Sequence, residues 1–166
     1  MSLPRIPLVE KTEDFKVFSD AGRELAELHL NYETGEPCLG VEVIENKKEV
    51  DEYRFYSVTK MRFPTKDKKD VIIYNDNITV RNIPAEAYEY IIDGRSAIEW
   101  VMENYQVYTD PDSQIKNDPN DWSREHEKPR YILDLLLSVI NLSVKTMEIV
   151  KSLPVLTFPE AEEAGE

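Results

Sequence analysis

The hydrophobic patterning of this 166-residue chain predicts an α+β fold: an N-terminal helix, a small mostly antiparallel sheet, and a helical C-terminal half with one long buried helix. Three observations carry that prediction. Apolar residues first recur at three- and four-residue steps, then form short β-branched and aromatic runs, and finally fill most of the circumference of one long segment.

The first helix spans Asp14 to Tyr32, where Phe15, Phe18, Ala21, Leu25, Leu28 and Tyr32 share a face, and Gly35-Glu36-Pro37 ends it. Ahead of it, Pro4 and Pro7 fix an extended entry. From Gly40 to Val80 the pattern is of strands: one at Val41, Val43 and Ile44, and a longer one from Tyr53 to Arg62. Val71 to Tyr74 and Ile78 to Arg81 flank Asn75-Asp76-Asn77, residue types that tolerate positive φ, so a hairpin is expected. Pro64 to Asp70 is a lysine-rich turn.

Pro84 suits the first position of a helix from Ala85 to Ile92, which Asp93-Gly94 breaks. A further helix opens at Arg95 or Ser96 and runs through Tyr105, with Ile98, Val101, Met102 and Tyr105 on its apolar face and Trp100 expected to pack in the core. After a polar loop from Thr109 to Glu127, Pro129 precedes the long helix, which reaches about Ser152 and is stopped by Pro154. The whole reads as a single α+β domain over residues 1–158 followed by an acidic, disordered tail at 159–166.

A net charge of -13 argues against a general nucleic-acid binder, since phosphate binding needs clustered Lys and Arg. The charge is uneven, however. Between Tyr53 and Asn82 seven basic residues (Arg54, Lys60, Arg62, Lys66, Lys68, Lys69, Arg81) face three acidic ones (Asp67, Asp70, Asp76), so this segment is +4 and the rest carries -17. Aromatic and basic residues interleave there: on a strand, Arg54 and Tyr56 would share one face with Val58, and Lys60 would share a face with Arg62. Arginine can read guanine edges, and the turn lysines can hold phosphates. The plainer alternative is a half-buried strand whose outward residues are solvated and whose lysine-rich turn opposes edge aggregation.

Other constellations carry less. Cys38 is the only cysteine, which leaves no intramolecular disulfide and no thiolate metal site and fits a cytoplasmic protein. Asp110, Asp112, Gln114 and Asp121 mimic calcium-loop spacing, but Ile115 stands where that loop needs glycine, so Asp118, Asn120 and Asp121 are expected to close turns instead. His29 reads as a partly buried packing residue and His126 as solvated, neither with a nucleophile beside it. No catalytic residue, metal site or cofactor is assigned. Asp134, Asn141, Lys145 and Glu148 make the long helix unfit for a bilayer.

The chain resembles the C-terminal specificity (target-recognition) region of bacterial type ISP-like restriction-modification enzymes, often labelled predicted helicases. The resemblance rests on LPRIPL from Leu3, AGRELAELHLNYE from Ala21, VTKMRF from Val58 and IIYN from Ile72. It continues through NIPAEAYEYIIDGRSAIEWVMENYQV from Asn82, NDPNDW from Asn117 and RYILDLLLSVINLSVKTMEIVKSLP from Arg130. One departure is Ser113-Gln114-Ile115, where the family usually carries Ser-Gly-Ile and glycine would give an easy left-handed turn.

The resemblance implies a non-catalytic, C-terminal piece of a larger enzyme whose nuclease, helicase and adenine-methyltransferase parts lie elsewhere on the polypeptide. Its partners would be double-stranded DNA, in the context of the full enzyme, and the methyltransferase and helicase domains. The rival reading is a protein-interaction or scaffolding module that braces that enzyme without touching DNA. Burial of Arg54, Lys60 and Arg62 in ion pairs would favour the rival.

Overall fold

A computed structural model describes residue 9 and residues 11–46 and 50–156. The extended entry expected at Pro4 to Pro7 and the acidic tail lie outside the described residues.

Helix α1 (Thr12–Leu30) opens with Glu13 and Asp14, which suit the positive end of its dipole, and Asn31 closes it by donating to the Glu27 carbonyl. Phe18, Ala21, Leu25 and Leu28 form its half-buried stripe against the last helix, whereas Phe15 lies 60% exposed, off the face expected for it. A short 3₁₀ turn, Tyr32–Thr34, follows.

Strands β1 (Glu42–Glu45), β2 (Val71–Ile73) and β3 (Ile78–Arg81) make an antiparallel sheet in the order β1-β3-β2. Between β1 and β2 the expected long strand is absent. Asp51 instead caps a short helix, α2 (Glu52–Tyr56), by accepting from the Tyr53 and Arg54 amides. Helical turning puts Phe55 into the core, and the chain then runs irregularly, with Val58 and Met61 buried three residues apart. A spacing of three cannot lie on one face of a strand, which is why alternation misread this segment.

The β2–β3 hairpin forms as expected, but not through positive φ. The Asn75 Oδ1 accepts from the Asn77 and Ile78 amides, both at 2.8 Å, so a side chain closes the turn. Left-handed backbone occurs instead at Asn82, Asp93, Gln114 and Glu127 among the described non-glycine residues.

The helix expected over Ala85 to Ile92 is only a 3₁₀ turn, Ala85–Tyr88, followed by a second hairpin of β4 (Ile91–Ile92) and β5 (Arg95–Ser96). Asp93 (φ 49°) and Gly94 (φ 82°) supply the two left-handed residues that a tight hairpin turn requires, so Asp-Gly marks a hairpin here rather than a helix stop. Helix α3 (Ala97–Asn104) starts at a capping box: the Ser96 Oγ accepts from the Glu99 amide, and the Glu99 carboxylate accepts from the Ser96 amide.

A third hairpin, β6 (Tyr108–Thr109) with β7 (Lys116–Asn117), leads through the short helix α4 (Asn120–Glu125) to α5 (Tyr131–Ser152). Helix α5 packs against α1, α3, α4 and both 3₁₀ turns. Leu133, Leu136 and Ile140 are completely buried on it, each stabilising the fold by roughly 1.5–3 kcal/mol. Leu153 turns extended ahead of Pro154 and ends it. No helix among the described residues is long and apolar enough to cross a membrane.

Candidate nucleic-acid interface

The segment from Phe55 to Arg62 has almost no regular structure, yet distant groups bind its backbone along most of its length. The Asn75 amide donates to the Phe55 and Ser57 carbonyls, both at 2.9 Å, and the Tyr74 hydroxyl donates to the Tyr56 carbonyl at 2.8 Å. Asn120, only 6% exposed, accepts from the Val58 amide and donates to the Val58 carbonyl, both at 2.8 Å. The Val107 amide donates to Thr59, and Arg62 exchanges backbone bonds with Ile73 at 3.1 and 2.8 Å. A loop with its backbone tied this way behaves as a rigid ribbon.

The side chains on this ribbon divide. Arg54 on α2, Lys60 and Arg62 on the loop, and Lys66 and Lys68 in the following turn are exposed. Arg81 is exposed at the end of β3, in register with Glu42 and Val71. None of these six enters an ion pair with another described residue. Lys60 and Arg62 are both exposed, on either side of buried Met61, but the strand on which they were expected to share a face is absent.

Two predicted residues are engaged elsewhere. The Lys69 Nζ sits 2.7 Å from Glu99 Oε1, and 5.7 and 5.5 Å from the ring centroids of Phe63 and Tyr88. Burial works to raise the Glu99 carboxyl pKa, but hydrogen bonds from Lys69 and Ser96 outweigh it and hold the group below its ordinary value. Tyr56 lies under Arg130, whose guanidinium is 5.5 Å from its ring, and donates to Glu45 at 3.3 Å. It therefore does not share a displayed face with Arg54.

The NDPNDW segment is the feature that spacing alone missed. Asp118 accepts from the Asn120 amide and side chain at 3.1 and 2.7 Å, and Lys116 pairs with it at 2.9 Å. Burial acts to raise the Asp118 pKa, but those bonds prevail and lower it. A turn of this kind was expected, but its purpose was not: it aims Asn120 at Val58, 62 positions away. An Asn followed by a helix start reads as a local cap, and nothing local reveals so distant a partner.

The calcium-like spacing resolves as a turn, in which Asp110 Oδ1 accepts from the Asp112 amide and from the amide and hydroxyl of Ser113. Among the described residues no three His, Cys, Asp or Glu side chains converge as a metal site. His29 is half-buried as expected: its Nδ1 donates to the Leu25 carbonyl, and its Nε2 accepts from the Tyr90 hydroxyl at 2.8 Å. Trp100 departs from its expected core position. It is 47% exposed, because α3 turns Ile98, Val101 and Met102 inward, and it borders an apolar cleft with Tyr90, Ile92 and Leu142.

The profile of the type ISP C-terminal specificity domain matches residues 1–135. Three solved structures share the fold. An ATP-dependent type ISP restriction-modification enzyme, LlaBIII, bound to DNA is 45% identical with a TM-score of 0.82, over 95% of this chain and 10% of that one. A nuclease-deletion mutant of the type ISP enzyme LlaGI, in complex with a DNA substrate mimic, is 46% identical with a TM-score of 0.79, over 92% of this chain and 11% of that one. A DrdV–DNA complex is 27% identical with a TM-score of 0.70, over 93% of this chain and 15% of that one. The chain thus spans about a tenth of the length of the two type ISP enzymes. No curated protein matches it. With most of its length covered by the family profile and its fold shared with two enzymes of that type, the chain belongs to the type ISP C-terminal specificity domain family.

Proposed function

We propose that this chain recognises the DNA target of a type ISP restriction-modification polypeptide. On this reading it does no bond chemistry, needs no cofactor, and leaves nuclease, helicase and methyltransferase work to other parts of that polypeptide. The observation that carries it is the ribbon. Lys60 and Arg62 stand exposed on a backbone fixed by distant hydrogen bonds, and Arg54, Lys66, Lys68 and Arg81 stand exposed on the helix, turn and strand that flank it, all six without ion pairs to described residues. Fixed donors suit base readout, and unpaired turn cations suit phosphates. The LlaBIII, LlaGI and DrdV structures, whose fold this chain shares, are complexes with DNA or a DNA mimic. Lys69 and Tyr56 take structural parts in this picture, and the remaining six residues form the contact set.

A bracing role belongs beside recognition. Phe15 and Val17 on α1, and Trp100 with Ile91 and Ile92, are large apolar side chains left at least 43% exposed, which suits contact with methyltransferase or helicase domains.

The test is an exchange. LlaBIII carrying this chain in place of its corresponding segment should modify a new DNA sequence, dictated by this chain. A functional chimera that keeps the LlaBIII target would overturn recognition and leave bracing as the function.

A further inference from the structure

Beside the ribbon lies a cleft of about 300 Å³, lined by Thr59, Lys60, Arg62, Ile73, Asn75 and Asp76. It brings a carboxylate and a guanidinium to one open space. Arg62 and Asp76 are both exposed, and neither side chain bonds to another described residue. Asn75 is different, because both ends of its amide are spent inside the protein, on Phe55, Ser57, Asn77 and Ile78. It builds the cleft and has no capacity left to read anything. Reciprocal backbone bonds to Ile73 hold Arg62, and the Asn75 side-chain turn holds Asp76.

We infer that this cleft reads one C·G base pair in the major groove, with Arg62 donating to guanine and Asp76 accepting from cytosine. The inference rests on the recognition reading above and deepens it. A carboxylate on a surface that merely gripped phosphates would be repelled by them, so Asp76 calls for a ligand that offers a donor as well as acceptors. The guanidinium fork matches two adjacent acceptors, and among base edges guanine O6 and N7 provide them. The partner of that guanine then presents a single major-groove donor, the cytosine N4 amine, and aspartate is an acceptor for it. An A·T pair alternates donor and acceptor on adenine, which suits an Asn or Gln amide, and the amide in this cleft is fully occupied.

The test uses the LlaBIII chimera on a library of randomised duplexes, scoring which sequences become modified. Wild-type chain should require C·G at one position. Asp76→Asn, which is nearly isosteric, and Arg62→Ala, which removes the donors to guanine, should each lower discrimination at that same position by about tenfold or more. Lys66→Glu should instead weaken all sequences alike. Should Asp76→Asn strengthen binding to every sequence equally, Asp76 only repels phosphate and the inference falls. Loss of discrimination at an A·T position would also overturn it. A chimera that keeps the LlaBIII target removes the recognition reading itself, and with it this inference. Enrichment of randomised duplexes on the isolated chain at low salt makes the same comparison without the chimera.

Discussion

Removing the Asn120 amide should both destabilise the domain and loosen its ribbon. Asn120 makes two 2.8 Å bonds to the Val58 backbone, and both residues are buried, at 6% and 1% exposure. Asn120→Ala leaves a buried N–H and a buried C=O without partners, each costing roughly 1–3 kcal/mol. Relaxation recovers part of that, so the net loss should be about 2–4 kcal/mol. With a urea slope of roughly 1–3 kcal/mol per molar, the unfolding midpoint should fall by about 1–2 M. Asn120→Asp should be worse than its similar shape implies, because it sets a second carboxylate against Asp118 and turns an acceptor toward the Val58 carbonyl. Urea unfolding gives the energy, and hydrogen exchange at the Val58 amide gives the location. A loss under about 0.5 kcal/mol with Val58 still protected would refute the clamp, because that amide would then have another partner.

Gln114 holds φ at 58°, the left-handed conformation that the family's usual glycine would supply, so Gln114→Gly should be neutral to stabilising by up to about 1 kcal/mol in thermal or urea unfolding. Lys66→Glu together with Lys68→Glu should weaken DNA binding by the chimera across all sequences and flatten its salt dependence, as read by titration at several ionic strengths. Glu99 has a depressed pKa in the folded state, so its contribution is present above its ordinary value of 4.5 and is lost as pH falls through the lower folded value. Glu99→Gln should accordingly flatten the acid limb of stability below pH 4.5, as seen in urea midpoints measured across pH. The isolated chain should bind duplex DNA weakly at physiological salt, and tight binding in an anisotropy titration would count against the recognition reading.

Helices α1, α3 and α5 and the strands β1, β2 and β3 were legible because their signals are local. The stripe of α1, the apolar face of α3 and the continuous apolar run of α5 each need only a few neighbouring residues to decide them. The ribbon was half legible. Its charge could be counted, but its conformation is decided by Asn75, Tyr74 and Asn120, residues 18 to 62 positions from the groups they hold. Periodicity has no access to such bonds, and for that reason a tied loop passed as a strand. The pairing of Lys69 with Glu99, 30 positions apart, was hidden for the same cause.

The acidic balance of the chain does not oppose recognition, because DNA meets charge locally. At physiological ionic strength the screening length is about 8 Å, so a phosphate held against the ribbon feels the cations within roughly that distance and little of the acidic body beyond. On the proposed reading the +4 segment would set the attraction at the interface, while the -17 elsewhere would lower affinity for duplex approaching any other face. Weak contact on most faces and a basic strip on one would orient the domain as it lands, and orientation is what a reader of base edges needs before Arg62 and Asp76 can act. Adding lysines to the acidic body would then raise binding to all DNA and lower the ratio of target to non-target binding, whereas adding them beside the ribbon would raise both together.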